Sequence, residues 1–463
     1  MEGRENLFDY RVRDRVVWDY LRYYVFKELE KGQSLPGQIV YRKKIRPLVH
    51  VMDGIGFIRR RRLSPPYDIV VVNYSRKTMI DGKSVNSQFY LTINALKDRY
   101  RILLIDPSRY REEVEKFYGC DVVRSIPWHY RAKLGGALMR YSGEEKRVFD
   151  TIQKVVLNEF QVGLDMDAIV RLGFSYQLGL GKEFAKIFKR VRPRLILYSE
   201  TGGCKGWIEE AHRLEIPVVE YQHSIIWRGS VLCNYDNGVV SRDWKTLHDY
   251  IFTFAESWHP QYLCPAKKIP VGHPLIDRHL SGLAKSSGRP EAILFISTKR
   301  SGRVLERLAL ELSRRMPGRP IFYKLRPDEY IGWREAYSRE FCESRDVTVI
   351  DRDIKSLYDW FAESGYIVGD ASMAVVEGMA AGLVPFILKN QLHVVLENYV
   401  KQGAAFLVET AEEIEMKIKQ KELPRNPLRR EQLFRPGSLS NITQAVDAIF
   451  RSKGEERNHG SIS

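Results

Sequence analysis

The chain is poor in cysteine. The five it has (Cys120, Cys204, Cys233, Cys264 and Cys342) are scattered, with no C-x-x-C among them. That spacing supports neither a zinc site nor a disulfide framework, and it suits a reducing cytoplasm. No apolar run reaches the roughly 18 residues that a membrane-spanning helix needs. The opening Met1-Glu-Gly-Arg-Glu-Asn6 is charged and lacks the apolar core of a signal peptide. No G-x-G-x-x-G is formed by Gly135-Gly136 or by Gly179-Leu-Gly181, so a dinucleotide cofactor is not expected, nor any other. Asp165-Met-Asp167 lies in a helical, mixed-apolar context and reads as structural, which leaves no metal site expected. Internal repeats and low-complexity blocks are absent.

What is present is ample for folding. With 463 residues, 44% hydrophobic and 11% aromatic, the chain is long for one core and suits two α/β domains plus extensions. Lys and Arg number 74 against 58 Asp and Glu, a net charge of +16 that suits an anionic partner. Nucleic acid is not the expected one. The basic residues are spread along the chain, and no helix-turn-helix, RRM, KH or zinc-finger signature occurs.

Residues 1–64 read as a helical, basic extension. Phe8, Val12, Val16, Val17, Leu21, Tyr24, Val25 and Leu29 have the spacing of one or two amphipathic helices. Arg42-Lys43-Lys44, Arg46 and Arg59 to Arg62 then form basic clusters, compatible with a solvated face or with peripheral contact on an anionic membrane. Pro65-Pro66 marks a boundary, and residues 65–280 read as a first Rossmann-like domain. Its buried-strand signals are Asp68–Asn73, Tyr100–Asp106, Pro193–Tyr198, Ile216–His223 and Tyr250–Phe254, with helices at Ser87–Lys97 and Lys205–Arg213 and mostly helix over 109–190. A parallel, doubly wound sheet follows from that alternation.

Residues 281–422 read as a second domain of the same kind, opening with the strand Ala292–Ser297 and continuing through Ile321–Lys324. Its organising stretch is Tyr366-Ile-Val-Gly-Asp-Ala-Ser-Met373 and onward to Pro385: strand, tight turn, helix over Met373–Ala381, then the next strand. A strand, a turn of small residues and a helix N-terminus form an anion site, because unpaired backbone N–H groups and the helix dipole favour phosphate. Glu377 lies about one turn beyond Ser372, within reach of a sugar hydroxyl on the same ligand; an ordinary βαβ unit with a surface Glu has the same pattern. Residues 423–463 read as a Pro- and Arg-rich crossover, a short helix at Ser440–Ser452 and a disordered end from Gly454.

Taken in order, Val271-Gly-His-Pro-Leu-Ile-Asp277, the strand and basic turn at Ala292–Gly302, Lys324-Leu-Arg-Pro327 and Gly369-Asp-Ala-Ser372 resemble the second half of a GT-B glycosyltransferase. The likeness is to bacterial surface- and capsular-polysaccharide enzymes, the sialyltransferase, Kdo-transferase and CDP-glycerol glycerophosphotransferase relatives, and covers roughly residues 190–410. It implies two Rossmann-like domains facing across a cleft and metal-independent transfer of a sugar from a nucleotide-sugar donor to a glycan or lipid-linked acceptor. On this resemblance Lys299, Arg300, Lys324, Arg326 and Ser372 contact the donor phosphates and Glu377 the ribose. Arg326 stands where the relatives have His; phosphate binding survives that change, because guanidinium is permanently charged and bidentate, but acid assistance does not. Tyr221-Gln-His-Ser224 resembles the relatives' Gln-His-Gly, with Ser224 in the glycine position.

His223 and Glu200 end consecutive expected strands, and either could serve as the base that deprotonates an acceptor hydroxyl. A lone His is more often structural. His273 reads as a turn residue before Pro274, with the cleft as the other option. Other readings are a glycerol- or ribitol-phosphate transferase, a sugar-nucleotide 2-epimerase of the same fold, and a catalytically dead scaffold.

Overall fold

The computed structural model describes Glu2, Leu63 and residues 5–31, 65–74, 78–107, 111–200, 204–235, 245–283 and 290–460. Seven strands form the first sheet: β1 (Ile69–Val72), β2 (Ile102–Asp106), β3 (Asp121–Arg124), β4 (Leu195–Tyr198), β5 (Val218–Tyr221), β6 (Tyr250–Thr253) and β7 (Lys267–Pro270). Their order is β7-β6-β5-β4-β1-β2-β3, with every neighbouring pair parallel. The second sheet has six: β8 (Ala292–Ile296), β9 (Ile321–Lys324), β10 (Val347–Ile350), β11 (Ser364–Gly369), β12 (Val384–Leu388) and β13 (Phe406–Val408). It too is all parallel, in the order β10-β9-β8-β11-β12-β13. Two doubly wound, Rossmann-like sheets are therefore present, as the alternation of strands and helices requires.

The central strands β1, β2, β4, β5, β8, β11 and β12 are buried along their whole length. Helices cover both faces of a parallel sheet, so its inner strands need apolar residues at every position rather than at alternate ones. The helices that bear on the site are α1 (Val17–Lys31), α2 (Tyr176–Val191), α3 (Lys205–Arg213), α4 (Pro274–Gly282), α5 (Gly302–Arg315), α6 (Leu357–Ala362), α7 (Met373–Ala380) and α8 (Ser438–Gly460).

Three segments differ from expectation. Among the described residues of the N-terminal stretch only α1 is an α-helix. It is preceded by a 3-10 turn at Leu7–Asp9 and by the strands Arg11–Val12 and Arg15–Val16, paired antiparallel around left-handed Arg13 and Asp14. This stretch is built into the first domain. Trp18, Tyr20, Leu21 and Val25 are buried, and Asp19, 2% exposed, accepts hydrogen bonds from Tyr235 and Thr246 and pairs with Lys205 at 3.3 Å. The basic clusters of residues 42–62 lie outside the described residues.

Within 109–190, read as mostly helical, Asp121–Arg124 forms edge strand β3. At the C-terminus α8 extends beyond Ser440–Ser452 at both ends, and residues 454–460, expected to be disordered, form its last turns.

The tail returns to the first domain. Asp277 of α4 accepts hydrogen bonds from the backbone N–H of Gly437 and Ser438 and from Ser438 Oγ, and pairs with Arg430 at 2.6 Å. The Arg435 N–H donates to the Phe254 carbonyl, and Phe434 packs on Phe254. Gly272, at φ 86°, lets this strap through, since a Cβ there would stand 2.1 Å from the Arg435 carbonyl oxygen. Farther along, Tyr100 and Arg99 hold Asp447 of α8.

Candidate functional site

Each sheet reverses its strand order at one place, between β1 and β4 in the first and between β8 and β11 in the second. At such a switch the loops after neighbouring strands part to opposite faces and leave a crevice over the carboxyl ends. Most of the residues singled out from the sequence fall at or beside these two places.

In the first domain Glu200 follows β4 at the switch and is exposed, while His223 follows the adjacent strand β5 and is half-buried. The chain leaving β5 is pinned by Gln222, which is 2% exposed. Its Oε1 accepts from the Phe254 N–H (2.9 Å), its Nε2 donates to the Ser224 carbonyl (3.0 Å), and its own carbonyl accepts from Gln88 Nε2 (3.2 Å). On the other side of the switch Asn73 Nδ2 donates to Asp106 at 2.5 Å, and the Tyr74 hydroxyl meets Cys204 Sγ at 2.9 Å, next to the start of α3.

In the second domain two helix N-termini flank the switch, that of α5 after β8 and that of α7 after β11. Between them lies Asp370, fully buried, whose Oδ2 accepts from Ser301 Oγ, Thr298 Oγ1 (3.3 Å) and Asn390 Nδ2 (3.2 Å). One carboxylate thus joins the loops after β8, β11 and β12. Ser372 is the N-cap of α7 by backbone conformation, but its side chain makes no capping bond to the first turn of α7.

The four expected cations divide into two kinds. Lys299 and Arg326, from the loops after neighbouring strands β8 and β9, meet on Asp328 at 2.5 and 3.6 Å. Burial pushes the Asp328 carboxyl up, but Lys299 and Arg326 together draw it below the usual carboxylate range. Arg300 turns away and pairs with Glu30 of α1 at 2.9 Å. Lys324 is 9% exposed, and its ammonium is held by Tyr330 and by Asp353 at 3.4 Å; burial pulls its pKa below the ordinary lysine value. Glu377, one turn into α7, accepts from the Tyr358 hydroxyl at 2.9 Å through Oε2. Burial pushes its carboxyl up to about 7.

The junction between the domains is made largely by segments beyond strand ends. Trp258, after β6, packs edge-on to Tyr399, after β12, at 6.3 Å, and the His279 ring of α4 stacks on Tyr358 of α6 at 4.2 Å. His273 is not a cleft residue. Its side chain caps α4 by accepting from the Ile276 N–H, it is 6% exposed, and burial lowers its pKa to about 4.

Comparison with known proteins gives no family model and no curated protein that matches the chain. Solved structures of similar fold exist. The glycotransferase of kitacinnamycin superposes with a TM-score of 0.49 at 13% identity, over 83% of this chain and 99% of its own. MurG of Acinetobacter baumannii gives 0.49 at 11% identity, over 83% and 100%. The UDP-GlcNAc 2-epimerase of Neisseria meningitidis, bound to UDP-GlcNAc, gives 0.47 at 13% identity, over 83% and 99%. Likenesses so distant bear on no residue of the site.

Asp328 and Tyr358 had no signal of their own in the sequence, while Asp370 and Gln222 lie within the stretches Gly369–Ser372 and Tyr221–Ser224 but take buried roles that were not legible there. Asp328, Asp370, Tyr358 and Gln222 act through partners 19 to 72 positions away or through backbone groups. A second D-x-D, Asp351-Arg-Asp353 after β10, is legible but is engaged by protein groups. Asp353 takes Lys324 and Tyr330, and Asp351 takes Trp333, Arg334 and Arg352. Asp165, read as structural, caps the short helix Met166–Ile169. No cluster of three or more potential metal ligands occurs among the described residues.

Proposed function

We propose that this protein is a GT-B-type glycosyltransferase that moves a sugar from a nucleotide-sugar donor to a surface-polysaccharide or lipid-linked glycan acceptor. One observation carries the reading. Beside the second switch point the loops after β8 and β9 bring Lys299 and Arg326 onto Asp328 at 2.5 and 3.6 Å, and the helices α5 and α7 start after β8 and β11, which supports a diphosphate site there. In the reaction the acceptor oxygen bonds to the anomeric carbon, and the bond from that carbon to the phosphate oxygen breaks. The nucleotide leaves with the electron pair and an added negative charge. Lys299, Arg326 and the α7 N-terminus stabilise that charge, which is why the scheme is metal-independent. Glu377 accepts from the ribose. The acceptor's proton goes to His223, half-buried at the end of β5, with Glu200 beside it at the switch.

The net charge of +16 and the basic clusters of residues 42–62 support work at the cytoplasmic face of an anionic membrane, where a lipid-linked acceptor is presented. Among the described residues no helix is long and apolar enough to cross a membrane. Thermal-shift titration with UDP-, GDP-, CMP- and CDP-linked donors tests the reading, because a ligand that binds only the native state raises the melting point by mass action. A shift with one nucleotide series is expected. No shift with any of them ends the reading. Release of a C2-inverted sugar without acceptor would make the protein an epimerase instead, and transfer of a polyol phosphate from a CDP-linked donor would put it with the glycerophosphotransferases.

A further inference from the structure

We propose that Tyr358 is the positioning residue of the nucleotide site, fixing the Glu377 carboxylate for the ribose and tying it, through a ring stack on His279, to the helix that leads out of the first domain. This rests on the reading of Glu377 as the ribose contact and adds what makes that contact selective.

A glutamate side chain has three rotatable bonds, so an unheld carboxylate at the edge of a crevice loses entropy each time it meets a ligand hydroxyl. Here that freedom is already removed. The Tyr358 hydroxyl donates to Oε2 at 2.9 Å, and Oε1 has no hydrogen-bond partner among the described residues, so one oxygen is anchored and the other is left for a ligand. The anchor is itself rigid. Tyr358 is 8% exposed, and its ring lies flat on His279, centroids 4.2 Å apart and planes 8° from parallel, and edge-on to Phe361 at 5.6 Å. Its helix α6 begins with a capping box, in which Ser356 and Asp359 satisfy each other's backbone N–H groups.

His279 belongs to α4, whose start is capped by His273 and whose Asp277 clasps the C-terminal strap. The path from the strap to the ribose contact therefore runs through fixed groups. A stacked pair in this position registers the angle between the domains.

A packing role alone would predict lost stability with unchanged selectivity, so the test reads selectivity. Binding of UDP, GDP and CDP, each with its 2′-deoxy and 3′-deoxy counterparts, is measured calorimetrically on the full chain and on Y358F, H279A, H279F and E377Q. At about pH 8, where Glu377 with its pKa of about 7 is mostly ionised, the wild type is expected to prefer the ribonucleotide over one deoxy form by roughly 10- to 100-fold, the worth of a hydrogen bond to a charged group. E377Q and Y358F should each reduce that preference to within about three-fold, with affinity for the deoxy form nearly unchanged. H279A should lose part of it, and H279F, which keeps a flat ring, should recover it. A full ribose preference in Y358F, or in both H279A and E377Q should Y358F not fold, overturns the proposal while nucleotide binding stands. A wild type that binds nucleotides without ribose preference also overturns it. A wild type that binds none of the nucleotides fails at the level of the function itself.

Discussion

Gly206 of α3 lies so close to Gln177 of α2 that a Cβ on it would stand 2.0 Å from the Gln177 carbonyl oxygen. The approach is mutual, since a Cβ on Gly181 of α2 would meet the Gly206 carbonyl oxygen at 2.5 Å. The two helices pack backbone to backbone at this point. Gly206→Ala should destabilise the fold by at least about 1–3 kcal/mol, the range for forced overpacking, because the obstacle is backbone and cannot swing aside. Gly282→Ala, at a helix end with open space around it, should change the melting point little. Equal melting points for the two variants would show that α2 and α3 can part without penalty.

The two kinds of cation make a second prediction. Arg326 is half-exposed and reaches its partner Asp328 at only 3.6 Å, so it is free to turn to a phosphate. Arg326→Ala should weaken nucleotide binding by about 1.5–3 kcal/mol. Arg300, engaged by Glu30 of α1, should matter far less, with Arg300→Ala leaving affinity within roughly three-fold. Calorimetric titration of both variants checks the ranking, and the reverse order would place the donor phosphates nearer α1.

The sequence made the inner strands legible and hid the outer ones, for a physical reason. β1, β2, β4, β5, β8, β11 and β12 are covered on both faces and therefore spell continuous apolar runs. β3 and β7 are the two edges of the first sheet, β10 and β13 the two edges of the second. Asp121-Val-Val-Arg124 and Lys267-Lys-Ile-Pro270 are part-exposed, carry the charges and proline that edges tolerate, and have no apolar run to read. The site divides the same way. Residues at strand ends, such as Glu200, His223, Ser372 and Arg326, could be placed by counting from a strand. Asp370 directly follows β11 and could be placed the same way; what it, Asp328 and Tyr358 do could not be read, because their significance lies in a partner brought close only by the fold. His273, read as a turn residue before Pro274, does sit in the turn, where it caps the helix that follows.

The third prediction concerns turnover. If His223 takes the acceptor's proton, His223→Ala should lower kcat by about 10²- to 10⁴-fold and leave donor affinity nearly intact. Glu200→Gln should be milder, acting on acceptor placement from the exposed end of β4. Steady-state rates with a saturating donor separate the two, and the reverse ranking would move the base to Glu200.

The last prediction is the pH dependence of stability, where opposing groups must be weighed. His129, His248 and His273 are held neutral in the fold, burial pushing them down to about 4, about 3 and about 4. Unfolded, each binds a proton near pH 6.5, so the unfolded state carries more protons and stability falls as pH drops below that value. Glu377 acts in the other direction. Its folded pKa, about 7, lies above the ordinary 4.5, so the native state holds the extra proton between those values and this contribution is lost as pH rises through the same window. His259 and His279 are held down by burial in the same way, while His212, whose burial is outweighed by its hydrogen bond to Asp249, sides with Glu377. Five groups against two should leave the wild type less stable at pH 5 than at pH 7. Glu377→Gln removes one of the opposing groups, so its stability should drop more steeply than the wild type's on going from pH 7 to pH 5. Denaturant midpoints at the two pH values measure both slopes. Parallel slopes for the two proteins would mean that Glu377 titrates as an ordinary carboxylate, outside the buried setting in which Tyr358 holds it.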